Sequence, residues 1–169
     1  MTASDDPRHR FEELWDTQHA AVLAYALRRT DPDTARDVVA EAFTAAWRRI
    51  DDVPEQARLW MLGLARGALS NIRRADRRRA ALAEQIATTV ARDGSVESLG
   101  LAEAIRDLSD RDAEALLLVA WDGLSHAEAA RVVGCTTATF TVRVHRARRR
   151  LAALLGRPTT TPVVPEGSE

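Results

Sequence analysis

"GLSHAEAARVVGCTTATFTVRVHRARRRL", residues 123–151, holds two helical signals with a glycine between them. Ser125 followed three positions later by Glu128 is a capping box, which satisfies two orphan N–H groups at a helix start. The short helix "HAEAARVV" stops at Gly134, and Thr136 caps a longer one from Thr137 to about Leu155. Phe140, Val144, Ala147, Leu151 and Leu154 recur at spacings of 4, 3, 4 and 3, a single stripe that must face a core. At ~100° per residue the opposite face carries Ala138, Val142, His145, Arg146 and Arg149. Arg143 and Arg150 lie on one flank of that face and Arg148 on the other. A solvated face would not normally set Ala138 and Val142 beside arginines. On a recognition helix, small and apolar side chains near the start meet thymine methyls, and arginines read guanine edges or hold phosphates. The pair therefore reads as a helix-turn-helix, with a structural helical hairpin as the alternative.

Working outward, Ser109 caps a helix from Asp110 to about Trp121, and Asp110 and Asp112 suit its positive end. A short helix in "LGLAEAIRDL" precedes it. Three more helices lie before residue 80. The first runs from about Arg10 to Arg29, with Phe11, Leu14, Trp15, Val22, Tyr25 and Ala26 on its apolar face. Asp31 as N-cap with Pro32 at the first helical position starts the second, which continues to about Ile50. The third spans about Glu55 to Arg78, with Trp60, Leu64, Leu69 and Ile72 apolar. Trp15, Trp47, Trp60 and Trp121 all fall at such positions and are expected mostly in the core. No strand pattern is present. The expected architecture is all-α, with two small helical bundles over 1–79 and 99–155. A flexible linker over 80–98 joins them, and a disordered tail over 156–169 follows.

Net charge is −1, which alone argues against a nucleic-acid binder, but the distribution is uneven. All 24 basic residues are arginine. From Arg66 to Arg79 six arginines accompany one acid, Asp76, and from Arg143 to Arg157 six accompany none. Residues 80–114 between them hold eight acids against Arg92, Arg106 and Arg111. Two basic helix ends around an acidic stretch suggest two nucleic-acid contacts, with an acidic segment that avoids or imitates nucleic acid; solvated helix faces are the plain alternative. Cys135 is the single cysteine, which excludes an intramolecular disulfide and a cysteine-based zinc site. A packing role in the turn suits it better than redox sensing. His9, His19, His126 and His145 lack ligand spacing. No metal site, cofactor loop, catalytic triad or paired-carboxylate motif is legible, so an enzyme is not expected. The acidic N-terminus is no secretory signal, and no run approaches the ~18 apolar residues of a membrane span. A cytoplasmic protein is expected.

"LSDRDAEALLLVAWDGLSHAEAARVVGCTTATFTVRVHRARRRL" resembles region 4 of the bacterial extracytoplasmic-function (ECF) sigma factors, in the sigma-70 family. "DTARDVVAEAFTAAWRRI" resembles their region 2 helix of form D-x-E-D-[LV]-[VT]-Q-E-x-F-x-x-A-W, and "WMLGLARGALSNIRRADRRR" the helix after it. The likeness covers about residues 10–79 and 99–155. It implies a non-enzymatic transcription initiation factor that joins core RNA polymerase and directs it to promoter DNA. Asp37, Glu41, Trp47 and Arg48 would then serve polymerase docking, with Phe43 and Trp47 mainly core. Arg66, Ser70, Asn71, Arg73, Arg74 and Arg77 would meet the −10 element, where unstacked bases need basic and polar groups. Thr137, Ala138, Thr141, Val142, Arg143, His145, Arg146 and Arg149 would read the −35 element. Three departures bear on promoter preference. Ala40 stands where the family often has Gln, Gly67 where it commonly has Asn, and Thr141-Val142 where it often has Lys-Ser. The resemblance also implies a chain that is monomeric when free of polymerase, and an anti-sigma partner is common in the family. Two rival readings stay open: a free-standing helix-turn-helix regulator binding duplex DNA as a dimer, and a polymerase-binding interaction protein without initiation activity.

Overall fold

Helix order follows from where caps and breakers fall along the chain. The computed structural model describes residues 6–83 and 96–156, with side chains described over 6–79 and 100–156. Most of the expected linker, and the tail from residue 157, lie outside these. The helices are α1 (Pro7–Leu27), α2 (Pro32–Trp47), α3 (Ala57–Ala83), α4 (Val96–Arg106), α5 (Asp110–Ala120), α6 (His126–Val133) and α7 (Thr137–Leu155). A 3-10 turn, Ile50–Asp52, separates α2 from α3. No strand occurs among the described residues.

The caps are those the sequence signals. Asp31 accepts from the Thr34 N–H at 3.1 Å and from the Thr34 hydroxyl at 2.7 Å. The Thr34 hydroxyl, then its backbone N–H, holds the Asp31 carboxyl well below the usual carboxylate range. Asp6 adds a cap before α1, which begins at Pro7 rather than at Arg10. α3 continues past the expected Arg78 end to Ala83, because "RAALA" contains strong helix formers and no breaker.

α1, α2 and α3 pack on one another around Tyr25, Val38, Phe43, Met61 and Leu62, all at most 2% exposed. α4 and α6 both pack against α7, and α5 packs on α6 and α7, around Leu118, Ala129, Phe140 and Val144. The two bundles also touch, since α3 packs on α6 and one apolar cluster runs through both. The tryptophans correct the expectation of core positions. Trp15, Trp47 and Trp121 are exposed, and Trp60 is half-buried. Trp47 still packs against Phe11 with centroids 5.3 Å apart, and Trp15 against Phe43 at 4.6 Å. Rings of this size at the rim of small helices cannot be wholly enclosed.

Candidate nucleic-acid and polymerase interfaces

α6, its turn and α7 form the helix-turn-helix. Both halves of the capping box are present: Ser125 N–H and hydroxyl donate to Glu128 Oε2 at 2.8 and 2.7 Å, and Glu128 N–H donates to Ser125 Oγ at 3.2 Å. Those donors, the Ser125 hydroxyl first, draw the Glu128 carboxyl below its ordinary value. Gly134 ends α6 in the left-handed region at φ 73°, which lets the Cys135 N–H reach back to the Ala130 carbonyl at 3.0 Å. Cys135 is thus a half-buried turn residue. Thr136 then caps α7 by accepting from the Thr139 N–H at 3.2 Å.

Phe140, Val144 and Ala147 are buried, and Leu151 and Leu154 are half-buried, so the stripe faces the bundle. The other side of α7 is open. Thr137, Ala138, Thr141, Val142, His145, Arg146 and Arg149 are all exposed, Val142 by 50%. The Thr141 hydroxyl is hydrogen-bonded to His126 Nδ1 at 2.9 Å, a link that fixes α7 against the start of α6. Arg143 departs from the set: it is half-buried and turns toward α3. Arg150, on the same flank, is ion-paired with Asp112 of α5.

The basic end of α3 carries two faces. Arg66, Ser70, Arg73 and Arg77 recur at helical spacing and look toward the second bundle, lining a cleft of about 110 Å³ with Arg143 and Arg111. Arg66 and Arg73 are half-buried there, and Arg73 Nη2 donates to the Arg29 carbonyl at 2.7 Å. Asn71 and Arg74 lie on the solvent side. The six −10 candidates are therefore not one open surface, which the spacing alone did not reveal. On α2, Asp37 and Glu41 project into solvent on one helical face, with Arg48 just beyond the helix end and Trp47 exposed. Ala40 is also exposed there.

Sequence reasoning missed the polar cluster between the bundles. Arg29, in the turn after α1, is buried and bonds Glu114 of α5 at 2.8 Å and Asp122 at 2.7 Å. Burial works against its charge, but the Glu114, Tyr25 and Asp122 oxygens outweigh it and raise its pKa. Burial, then the Glu114 charge, pushes the Tyr25 hydroxyl far up, so it stays a donor. Three of the eight acids of residues 80–114 meet arginines of the fold: Asp112 with Arg150, Glu114 with Arg29, and Asp110 4.0 Å from Arg77. Only a signal for long-range pairing could have disclosed this, and one sequence carries none. Among the described residues no His/Cys/Asp/Glu group could hold a metal, and no helix is long and apolar enough to cross a membrane.

Two helical bundles, the second a helix-turn-helix with an open, arginine-bearing face, have the form of a DNA-binding protein. Residues 98–151 match the family described as "Sigma-70, region 4". The chain is 32% identical over 154 residues to the ECF RNA polymerase sigma factor SigL of Mycobacterium tuberculosis, covering 84% of this chain and 86% of SigL. It is likewise 32% identical over 161 residues to the RNA polymerase sigma factor CnrH of Cupriavidus metallidurans, covering 82% of this chain and 83% of CnrH. The structure of the sigma factor RpoE in complex with the anti-sigma factor NepR, from Bartonella quintana, superposes with a TM-score of 0.69 at 27% identity. That likeness covers 86% of this chain and 96% of RpoE. The chain belongs to the ECF RNA polymerase sigma factors. It is a promoter-directing initiation factor of RNA polymerase, a family of non-enzymatic transcription factors, and the free-standing regulator is not favoured.

Proposed function

We propose that residues 99–155 read the −35 element, that residues 1–79 bind core polymerase and hold the opened −10 element, and that 80–98 links them. The observation that carries this reading is the unbroken open face of α7, where Ala138 and Val142 precede Arg146 and Arg149. A helix presenting small and apolar groups first and guanidinium forks later fits a major groove with thymine methyls and guanines along it. Thr137, Thr141 and His145 supply the remaining polar contacts. Arg143 serves only if it swings out of the inter-bundle cleft.

On the first bundle, Asp37 and Glu41 provide the charged contacts to polymerase, flanked by Trp47 and Arg48. The exposed half of Trp47 makes it a docking contact as well as a packing one. Arg66, Ser70, Asn71, Arg73, Arg74 and Arg77 hold the displaced strand by charge and polar contacts. An anti-sigma protein is a further expected partner, since the similar RpoE was solved with one. The cytoplasm, where polymerase works, is the proposed location.

The test is reconstitution with sigma-free core polymerase and mapping of transcript starts on fragmented genomic DNA. Discrete new starts sharing a −10/−35 pattern support the assignment. Asp37→Ala/Glu41→Ala should weaken core binding with the melting temperature unchanged, because both side chains are exposed. Full core affinity in that variant would remove these residues from the docking surface.

A further inference from the structure

The open face of α7 has one side chain hydrogen-bonded to another helix among the described residues. Thr141 Oγ1 lies 2.9 Å from Nδ1 of His126, the first residue of α6. The imidazole is held from two sides. Its ring meets the wholly buried Phe140 ring edge-on, with centroids 5.9 Å apart. Behind it, the Ser125–Glu128 capping box fixes the backbone from which it projects. His126 is half-buried and Thr141 exposed, so the pair stands at the rim of the open face.

A threonine hydroxyl carries one proton to donate and two lone pairs that accept, and a neutral imidazole has one nitrogen of each kind. A free hydroxyl rotates to suit either sort of partner. One bonded to Nδ1 does not, and the imidazole decides which half of it faces the groove. Lysine, which the family often has at this position, only donates and so suits guanine N7 and O6 or thymine O4. Thr141 replaces that fixed donor with a group whose direction His126 sets.

We infer that His126 is a positioning residue for base reading, which holds Thr141 as an acceptor and so selects adenine or cytosine at one −35 position. The inference rests on the −35 role proposed above for α7. In a helix-turn-helix the first helix crosses the phosphate backbone, which brings the start of α6 to a group that only accepts. A phosphate oxygen keeps the imidazole proton on Nε2, and Nδ1 is left to accept the Thr141 proton. The Thr141 lone pairs then face the groove, where adenine N6 and cytosine N4 supply N–H donors. Guanine and thymine at the same place set acceptor against acceptor.

Holoenzymes of core polymerase and the full chain are selected on promoter fragments randomised across the −35 element, near pH ~8, above the ordinary histidine range. The natural chain should enrich A or C at one position of one strand by roughly 2–10-fold, the factor that one hydrogen bond supplies. His126→Phe keeps a ring against Phe140 and removes the nitrogen, so that enrichment should vanish while the other −35 positions keep theirs. His126→Asn should restore it, because the amide oxygen takes the place of Nδ1. Thr141→Val should abolish it, and adding His126→Phe to that variant should change nothing more. Weaker −35 binding in His126→Phe with the enrichment intact makes His126 a structural residue only and overturns the inference. So does an effect of His126→Phe that persists beside Thr141→Val. If His126→Phe melts below the natural chain, His126→Asn decides: retaining the enrichment that Thr141→Val loses supports the inference, and losing it overturns the inference. A natural holoenzyme indifferent to every −35 position overturns the α7 reading itself, and the inference with it.

Discussion

Arg146 and Arg149 on one hand and Arg150 on the other are neighbours in sequence with opposite expected consequences when removed. Arg146 and Arg149 are exposed and make no ion pair among the described residues. Replacing both with alanine costs the fold nothing, and the whole effect falls on DNA. If each meets a phosphate, each contributes about 0.9 to the slope of log K against log salt, so the double variant lowers the slope by about 1.8. If instead they meet guanine edges, each loss costs about 1–3 kcal/mol and relaxes preference at one position. Arg150 pairs with Asp112, whose side chain is 8% exposed. Arg150→Ala leaves that acceptor short, which costs about 1–3 kcal/mol of stability. The lower end is expected, because Asp112 sits in the first turn of α5, where the helix end still favours its charge. Melting should fall by about 2–4 °C per kcal/mol. The assay is holoenzyme binding to a promoter fragment over roughly 50–200 mM salt, alongside calorimetry of each free variant. An unchanged slope and unchanged sequence preference in Arg146→Ala/Arg149→Ala would refute the assignment of this face to DNA. An undiminished melting temperature in Arg150→Ala would refute the division of labour.

Three further outcomes are expected. Gly134→Ala should lower stability by about 1–2 kcal/mol in a denaturant titration; an added Cβ meets nothing within 4 Å, so the cost is that of the φ +73° backbone alone. Phe140→Ala removes a wholly buried ring from between α6 and α7 and should cost about 3–5 kcal/mol, with loss of promoter binding measured below the new melting point. The depressed Glu128 carboxyl contributes stability that is present above the ordinary glutamate range and lost as pH falls through its lowered value. Ser125→Ala should remove that part of the acid dependence and about 1 kcal/mol of stability, read from melting curves between neutral pH and pH ~3.

The helix-turn-helix was fully legible because each of its determinants is local. A capping box, a left-handed glycine and a threonine cap act within four residues, and a 4-3-4-3 stripe assigns α7's inner and outer faces without reference to anything else. The outward face read from that period, Ala138, Val142, His145, Arg146 and Arg149, is exposed throughout, while Arg143 on its flank is half-buried. Arg143 lies on the flank, where exposure depends on what stands opposite, and α3 stands there. The tryptophans failed as core markers for a related reason. Helical spacing tells which side of a helix is apolar, not whether the neighbouring helix is long enough to cover it.

By itself, then, the sequence determined the helices, their caps, the outward face of α7 and the family, since all rest on short-range hydrogen bonding, helical period and quoted motifs. Tertiary structure alone decided how the charges are used. Arg29 meets Glu114 and Asp122 across 85 and 93 positions, and no periodicity or cap relates residues so far apart. A carboxylate read along the chain is only an acid near other acids. Once folding brings a guanidinium to 2.7 Å and removes water, the same carboxylate fixes how the two bundles meet.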